Sequence, residues 1–384
     1  MGFASIRKRK VMDPERREAM NTFLREASWG NAVSSPLPGD ASTRHYIRLQ
    51  RGDTGAMLMD QPQDAEAPQC PPHAAPNERK SLGYNAVARL AGADCGRFVA
   101  VAEFLRSRKL SAPIVYAADI KNGFVLIEDL GDDLYANVLA NGRASEEPEL
   151  YAAAIDALAQ LHAEAAPPAL GNHKPLYAYD ETALLAETDL MTEWFIPLAL
   201  RRAVSEEERE EHRTLWRTAL QPALAERAVF VHRDYHAQNL FWLPQRQGAA
   251  RVGMIDFQDA VAGAPGYDLI SLIEDARRDV SLELAEAMMQ RYVKLRQSAD
   301  AAFDAEAYRA QAVVVAAQRN AKIAGIFSRL YMRDGKPRYL SYLPRVWNYL
   351  DRDLEHPALA DLKRWYDRKI STDARHQVIV VEAA

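Results

Sequence analysis

The 384 residues carry 48 lysines and arginines against 53 aspartates and glutamates, a formal net charge of −5, so no basic excess argues for a nucleic-acid partner. The length suits two lobes or one large two-layer unit with ample material for a buried core. Cys70 and Cys95 are the only cysteines and lack zinc or redox spacing, the basic cluster Arg7 to Lys10 has no apolar core behind it, and no run approaches the ~20 apolar residues of a membrane span. The cytoplasm is the expected address, without a membrane partner.

In chain order, Asp13-Pro14-Glu15 predicts a helix start: a capping Asp, Pro in the first turn, then an acid near the positive end of the dipole. Met20, Phe23, Leu24 and Ala27 supply its apolar stripe. After a Pro/Gly turn at 36–39, Arg44 to Leu49 alternates like a strand. Gly55 to Met59 answers it across Arg51-Gly52-Asp53-Thr54, which predicts a hairpin with Arg44, Tyr46 and Arg48 on one face. Residues 61–77 are rich in Pro, Ala and Gln and read as a mobile insertion or loop reaching to about residue 80. A helix is predicted over 98–108, then strands over 113–118 and 124–127 ending in Glu128-Asp129-Leu130-Gly131. From Glu149 helices dominate, with apolar faces at Leu150/Ala154/Leu158/Leu161 and Leu269/Leu272/Ile273/Ala276, then over 282–295 and 310–330. The acidic run 205–211 reads as a solvated helix face. The tail Val378-Ile379-Val380-Val381 suits an edge strand or an unstructured end equally.

The chemistry concentrates in two places. His232-Arg233-Asp234-Tyr235-His236-Ala237-Gln238-Asn239 reads H-R-D-x-x-x-x-N, and Met254-Ile255-Asp256-Phe257 is an apolar strand ending in Asp-Phe, with Asp256 following Asn239 by 17 residues. Leu240 to Leu243 and Val252 to Ile255 are apolar runs separated by a polar, turn-forming stretch, hence a hairpin. A hairpin brings its second strand back to the level of its first, so Asn239 and Asp256 meet at its open end. An amide oxygen beside a carboxylate offers hard ligands for Mg²⁺, which keeps its other positions for water and phosphate. Asp234, on the same loop, is placed to accept the proton of an attacking hydroxyl. The set reads as the catalytic carboxylate and metal ligands of ATP-dependent phosphoryl transfer.

Weaker signals surround this centre. His232 and His236 are four apart but on a loop without a third ligand, so His232 reads as packing beneath the loop and His236 as a candidate substrate contact. Gln258 and Asp259 either line the acceptor pocket or brace the loop. Asp268 caps the helix that follows or braces the catalytic loop. His162 reads as a core histidine. Arg319, Asn320 and Lys322 lie on a largely apolar helix, where unpaired charge is costly, which leaves an internal ion pair or recognition of an anionic substrate group.

With these residues the chain resembles the aminoglycoside phosphotransferase-like kinases over roughly 23–366. Asp40-Ala41-Ser42-Thr43-Arg44-His45-Tyr46-Ile47-Arg48, Leu58-Met59-Asp60-Gln61-Pro62, Asp256-Phe257-Gln258-Asp259-Ala260 and the run 318–327 are similar to one subfamily. That subfamily is the anomeric N-acetylmuramate/N-acetylglucosamine kinases of bacterial cell-wall recycling. The resemblance implies an α+β, bilobal protein-kinase-like (aminoglycoside phosphotransferase) fold, with a small β-rich N-lobe over 1–130 and a large, mainly helical C-lobe over 131–384. It implies ATP and Mg²⁺ as cofactors, with Asp234 catalytic and Asn239 and Asp256 on the metal. Ser42, Thr43, Arg44, the small-lobe helix acid Glu103 and the hinge Glu128, Asp129 and Leu130 would meet ATP. His236, Gln258, Asp259, Arg319, Asn320 and Lys322 would meet an amino sugar, whose N-acetylmuramate carboxylate would suit the cations. The 1-phosphate product would pass to a nucleotidyltransferase.

Two departures stand out. No Lys occupies the second strand, where Met57, Leu58 and Met59 stand, and no G-x-G-x-x-G precedes it. Arg44 is the candidate replacement, since a guanidinium grips phosphate through a planar fork. The competing readings are an aminoglycoside- or choline-type kinase, and a nucleotide-binding regulatory pseudokinase prompted by the missing Lys.

Overall fold

The computed structural model describes residues 13–38, 44–62, 68–92, 94–171, 174–225 and 227–377. Ser42, Thr43 and the tail at 378–381 fall outside them. The backbone forms two compact units: the described parts of Met1–Glu66, Ala93–Val99 and Pro113–Asp129, and those of Ala67–Gly92, Ala100–Ala112 and Leu130–Ala384.

In the smaller unit, helix α1 (Pro14–Glu26) starts as its capping sequence predicts, with the Asp13 carboxylate accepting the Arg16 N–H. Strands β1 (Val33–Pro36), β2 (His45–Arg51), β3 (Thr54–Asp60), β4 (Val115–Asp119) and β5 (Phe124–Glu128) form an antiparallel sheet in the order β1-β2-β3-β5-β4. Phe23 and Leu24 of α1 pack against Ile47, Leu49, Leu58, Phe124 and Leu126 of that sheet. The predicted β2–β3 hairpin is present, with Arg48 opposite Met57. The ladder begins only at His45, opposite Asp60, so Arg44 stands one residue before the strand and is buried. The shared strand face therefore reduces to Tyr46 and Arg48.

The larger unit differs from the sequence-based expectation: residues 68–92, 100–112 and Leu130, assigned there to the small lobe, belong to it. Nor is the stretch to residue 80 simply a mobile insertion. Helix α2 (Pro76–Leu82) and a π-helical turn at Asn85–Arg89 follow the Pro-rich run. The Cys70 N–H bonds the Leu90 carbonyl at 2.9 Å, and the buried Arg79 reaches Asp180 at 2.5 Å and the Val87 carbonyl at 2.7 Å. Composition signalled a loop because the order here comes from long-range guanidinium contacts rather than from local periodicity.

Helix α3 (Cys95–Ser107) is followed by α4 (Tyr135–Ala140), α5 (Glu147–Leu161), α6 (Glu181–Leu190), α7 (Ile196–Leu200), α8 (Glu206–Ala219) and α9 (Gln221–Ala225). Short strands β6 (Val229–Val231), β7 (Leu240–Trp242), β8 (Val252–Met254) and β9 (Val261–Gly263) carry the motif residues. Helices α10 (Gly266–Ile273), α11 (Leu282–Ala299), α12 (Ala305–Met332), α13 (Leu343–Leu354), α14 (Ala360–Lys369) and α15 (Thr372–His376) complete the chain. Helix α12 runs through the main core with residues such as Val314, Ala317, Ala321, Ala324 and Phe327. It lies so close to α6 that a Cβ on Gly325 would fall within 2.6 Å of the Leu190 carbonyl oxygen. Among the described residues no helix is long and apolar enough to cross a membrane.

Candidate active site

Strand β6 is fully buried and delivers the chain into the loop His232–Asn239. The loop is pinned from below by Asp268 in the first turn of α10. Its two carboxylate oxygens accept the backbone N–H groups of His232, at 2.6 Å, and Arg233, at 2.9 Å. Burial pushes the Asp268 carboxyl up to about 7, opposed by those two N–H groups. Arg233 adopts φ +76°, a conformation that costs a non-glycine residue about 1–3 kcal/mol and persists only where the surroundings enforce it. The enforcing contacts are visible: its guanidinium donates to the Arg89 carbonyl at 2.8 Å, the Ala88 carbonyl at 3.2 Å and Glu187 at 2.6 Å. The following residue, Asp234, is half-buried and lines a cavity.

The predicted hairpin forms from β7 and β8, with Leu240 opposite Met254 and the Ile255 N–H on the Asn239 carbonyl at 3.1 Å. Asn239 and Asp256 therefore flank its open end. The Asn239 side-chain nitrogen donates to the Asp234 carbonyl at 3.0 Å, which leaves the amide oxygen free of that bond. Asp256 adopts φ +60°, and the Gln258 side-chain nitrogen donates to its Oδ1 at 3.0 Å. A neutral oxygen and a carboxylate oriented by their neighbours fit a divalent cation that takes its remaining ligands from water and phosphate.

The cavity holds about 240 Å³ and runs along α12. Asp234, Asp259 and Glu187 are its acids; Arg89, Arg233, Arg277, Arg319, Lys322 and Arg329 are its cations; Tyr84, Ile323, Ile326 and Phe327 supply apolar wall. Arg89 pairs with Asp259 at 2.6 Å. Glu187, nearly sealed from water, receives Arg233, Lys322 at 3.6 Å, the Gln318 amide at 3.1 Å and the Tyr179 hydroxyl.

A profile of the phosphotransferase enzyme family matches residues 34–309. The chain belongs to that family. This phosphotransferase is 45% identical to an N-acetylmuramate/N-acetylglucosamine kinase of Caulobacter vibrioides, over 95% of its own length and 99% of the relative's. It is 32% identical to a Pseudomonas aeruginosa protein of the same name over 87% of its length and 88% of the relative's. Among solved structures it resembles an ADP-bound aminoglycoside phosphotransferase, with TM-score 0.52, 16% identity, 92% of this chain and 99% of that one. It also resembles the choline kinase LicA of Streptococcus pneumoniae, with TM-score 0.53, 13% identity, 90% of this chain and 99% of that one. At such identities the structural likeness speaks for the fold alone: the aminoglycoside phosphotransferase-like α+β fold.

The phosphotransferase distributes its sequence-predicted acceptor residues unevenly. Asp259, Arg319 and Lys322 line the cavity with Asp234. Arg319 donates to Ser271 Oγ at 2.9 Å and the Glu274 carbonyl at 3.3 Å, and Lys322 donates to the Tyr267 hydroxyl at 2.5 Å. Asn320 does not join them. It is fully buried on another face of α12, donating to Glu274 at 2.7 Å and Asp353 at 2.9 Å. Successive helical residues point about 100° apart, and here that turn carries Asn320 to Glu274 and Asp353 while Arg319 stays on the cavity side. Gln258 is buried and braces Asp256. His236 is buried behind the loop, its Nε2 within 3.4 Å of both the Asn239 amide and an Arg277 nitrogen; burial and the adjacent Arg277 and Arg319 cations hold it down to about 3, hence neutral. His232 and His162 are core residues, as expected.

Of the residues expected to meet the nucleotide, Asp129 is ion-paired with Arg48 at 2.7 Å. The Glu128 N–H bonds the Ile114 carbonyl at 2.8 Å, and its carboxylate accepts the Ile114 N–H at 3.2 Å. Leu130 packs toward Gly253 of β8, where a Cβ would lie 3.2 Å from its methyl carbon. Glu103 is exposed on α3 beside Gly171 and has no ion-pair partner among the described residues. With Met57, Leu58 and Met59 buried in β3, the strand offers no cation for such an acid to hold. Sequence reasoning missed Glu187, Tyr84, Arg277 and Arg329.

Proposed function

We propose that this phosphotransferase is an ATP-dependent kinase acting on the anomeric hydroxyl of N-acetylmuramate and N-acetylglucosamine, giving the sugar 1-phosphate. The observation that carries the reading is that Asp234 opens onto a cavity combining surplus guanidinium charge with an apolar wall. Such a lining suits an acidic or neutral amino sugar and disfavours a polycationic aminoglycoside or choline by like-charge repulsion. The name of the Caulobacter vibrioides relative, matched across nearly both full lengths, supports the same acceptor.

In this mechanism Asp234 accepts a hydrogen bond from the attacking hydroxyl and takes its proton late, as the new oxygen–phosphorus bond forms and the bond to the departing ADP oxygen breaks. Asn239 and Asp256 would hold Mg²⁺, which when bound neutralises charge building on the phosphates. Arg44 and the backbone of Glu128 to Leu130 are assigned to the nucleotide; Ser42 and Thr43 keep that assignment from sequence alone. Action in the cytoplasm on recycled cell-wall sugars, with the 1-phosphate consumed by a nucleotidyltransferase, completes the reading.

The test is ADP release by purified protein with Mg-ATP and N-acetylmuramate, N-acetylglucosamine, kanamycin or choline. Release with the first two, with the product phosphorylated at C1, is expected. Release only with kanamycin or choline redirects the acceptor, and none with any of them favours a regulatory pseudokinase.

A further inference from the structure

The cavity's cations are not equally neutralised. Arg89 faces Asp259, and Arg233 and Lys322 share Glu187. Among the described residues no carboxylate lies in ion-pairing range of Arg277, Arg319 or Arg329. Arg319 is held by a hydroxyl and a carbonyl, and an Arg277 nitrogen lies 3.4 Å from His236 Nε2. Both sit at the catalytic-loop end, where transferred phosphate needs positive charge. Arg329 is different. It hydrogen-bonds to no described side chain, its buried Nε has no partner, and its guanidinium lies over the Tyr84 ring at 4.4 Å.

Arg319, Lys322, Ile326 and Arg329 recur three or four residues apart and so form one stripe on α12. Ten residues of helix separate its ends by about 15 Å. An acceptor whose hydroxyl meets Asp234 near the Arg319 end therefore crosses Ile323, Ile326 and Phe327 before reaching Arg329. A partly desolvated guanidinium with an aromatic ring on one face and no acceptor is preorganised for a planar, two-oxygen anion. We infer that Arg329, framed by Tyr84, is the residue that receives the substrate's carboxylate and so selects the acidic amino sugar over the neutral one. This rests on the amino-sugar reading above.

The test compares kcat/KM for N-acetylmuramate and N-acetylglucosamine in wild type, Arg329→Gln and Arg329→Lys. Loss of one charge-assisted pair corresponds to about 10–100-fold, so the acid-to-neutral ratio should fall by that factor in Arg329→Gln, mainly through KM for the acid. Arg329→Lys, which keeps a point charge beside Tyr84, should show a smaller fall in the same direction, and guards against a misfolded Gln variant. An unchanged ratio, equal losses on both sugars, or a raised KM for ATP would overturn the assignment. A wild-type enzyme that phosphorylates neither sugar removes the amino-sugar reading and this assignment together; one that phosphorylates both, with variants of unchanged ratio, removes the assignment alone.

Discussion

The side-chain nitrogen of Asn239 donates to the backbone carbonyl of Asp234 at 3.0 Å, tying the proposed metal ligand to the proposed proton acceptor. That contact places the Asn239 amide oxygen on the side away from the loop. It also holds the Asp234 backbone through a group other than its carboxylate.

Asp234→Asn should therefore keep the loop and nucleotide binding while kcat falls by about 10²–10⁴-fold, the usual contribution of proton transfer to a positioned base. Steady-state ADP release together with nucleotide-binding calorimetry checks this. Near-normal turnover would remove Asp234 from its role.

Asp256 sits at φ +60°, a conformation that Asn tolerates about as well as Asp. Asp256→Asn thus changes charge with little backbone penalty. The variant should need more Mg²⁺ for half-maximal activity and should turn over at least about 10²-fold more slowly at saturating metal, in line with the loss of a metal-ligating carboxylate. An unaltered Mg²⁺ titration would exclude it as a ligand.

Glu187 and Arg233 are paired at 2.6 Å with side chains 2% and 7% exposed. Removing one partner of a buried pair leaves an uncompensated charge and costs about 3–5 kcal/mol. Glu187→Gln also withdraws the anion facing Lys322. Its denaturant midpoint should drop accordingly, and kcat should fall with it, because Arg233 carries the strained backbone before Asp234. Wild-type stability would mean that the pair is solvated.

Asp353 offers a pH signature. Burial, then the negative charge of Glu274, pushes its carboxyl well above the ordinary range. The folded protein keeps a proton that the unfolded chain releases above about pH 4, so this contribution is full below that pH and is lost as pH rises through the folded value. Stability should slope downward with rising pH by up to about 1.4 kcal/mol per unit over that window. Asp353→Asn should remove this one-proton slope. Denaturation curves between pH 4 and 7 with identical slopes for both proteins would contradict it.

The motif residues were legible because their geometry is local. Eight consecutive residues define the loop, and a hairpin register places Asp256 beside it. Asp268 was legible only as one of two roles; the structure chose the loop brace. The grouping of Arg319, Asn320 and Lys322 misled because adjacency along a helix is not adjacency in space. Asn320 turns into the Glu274 and Asp353 network. The order of 76–92 was invisible because distant segments impose it, Asp180 through Arg79 and Arg233 through the Arg89 carbonyl.

By itself the sequence determined which groups are proposed for the chemistry: a carboxylate as proton acceptor and two hard oxygens as metal ligands, set by spacing within one loop and one hairpin. Tertiary structure alone decided which cations are spent on internal acids and which remain for a ligand. Neutralisation depends on a few ångströms between side chains such as Glu187, Arg233 and Lys322, brought together from separate helices and loops by core packing. Linear spacing carries no record of those distances.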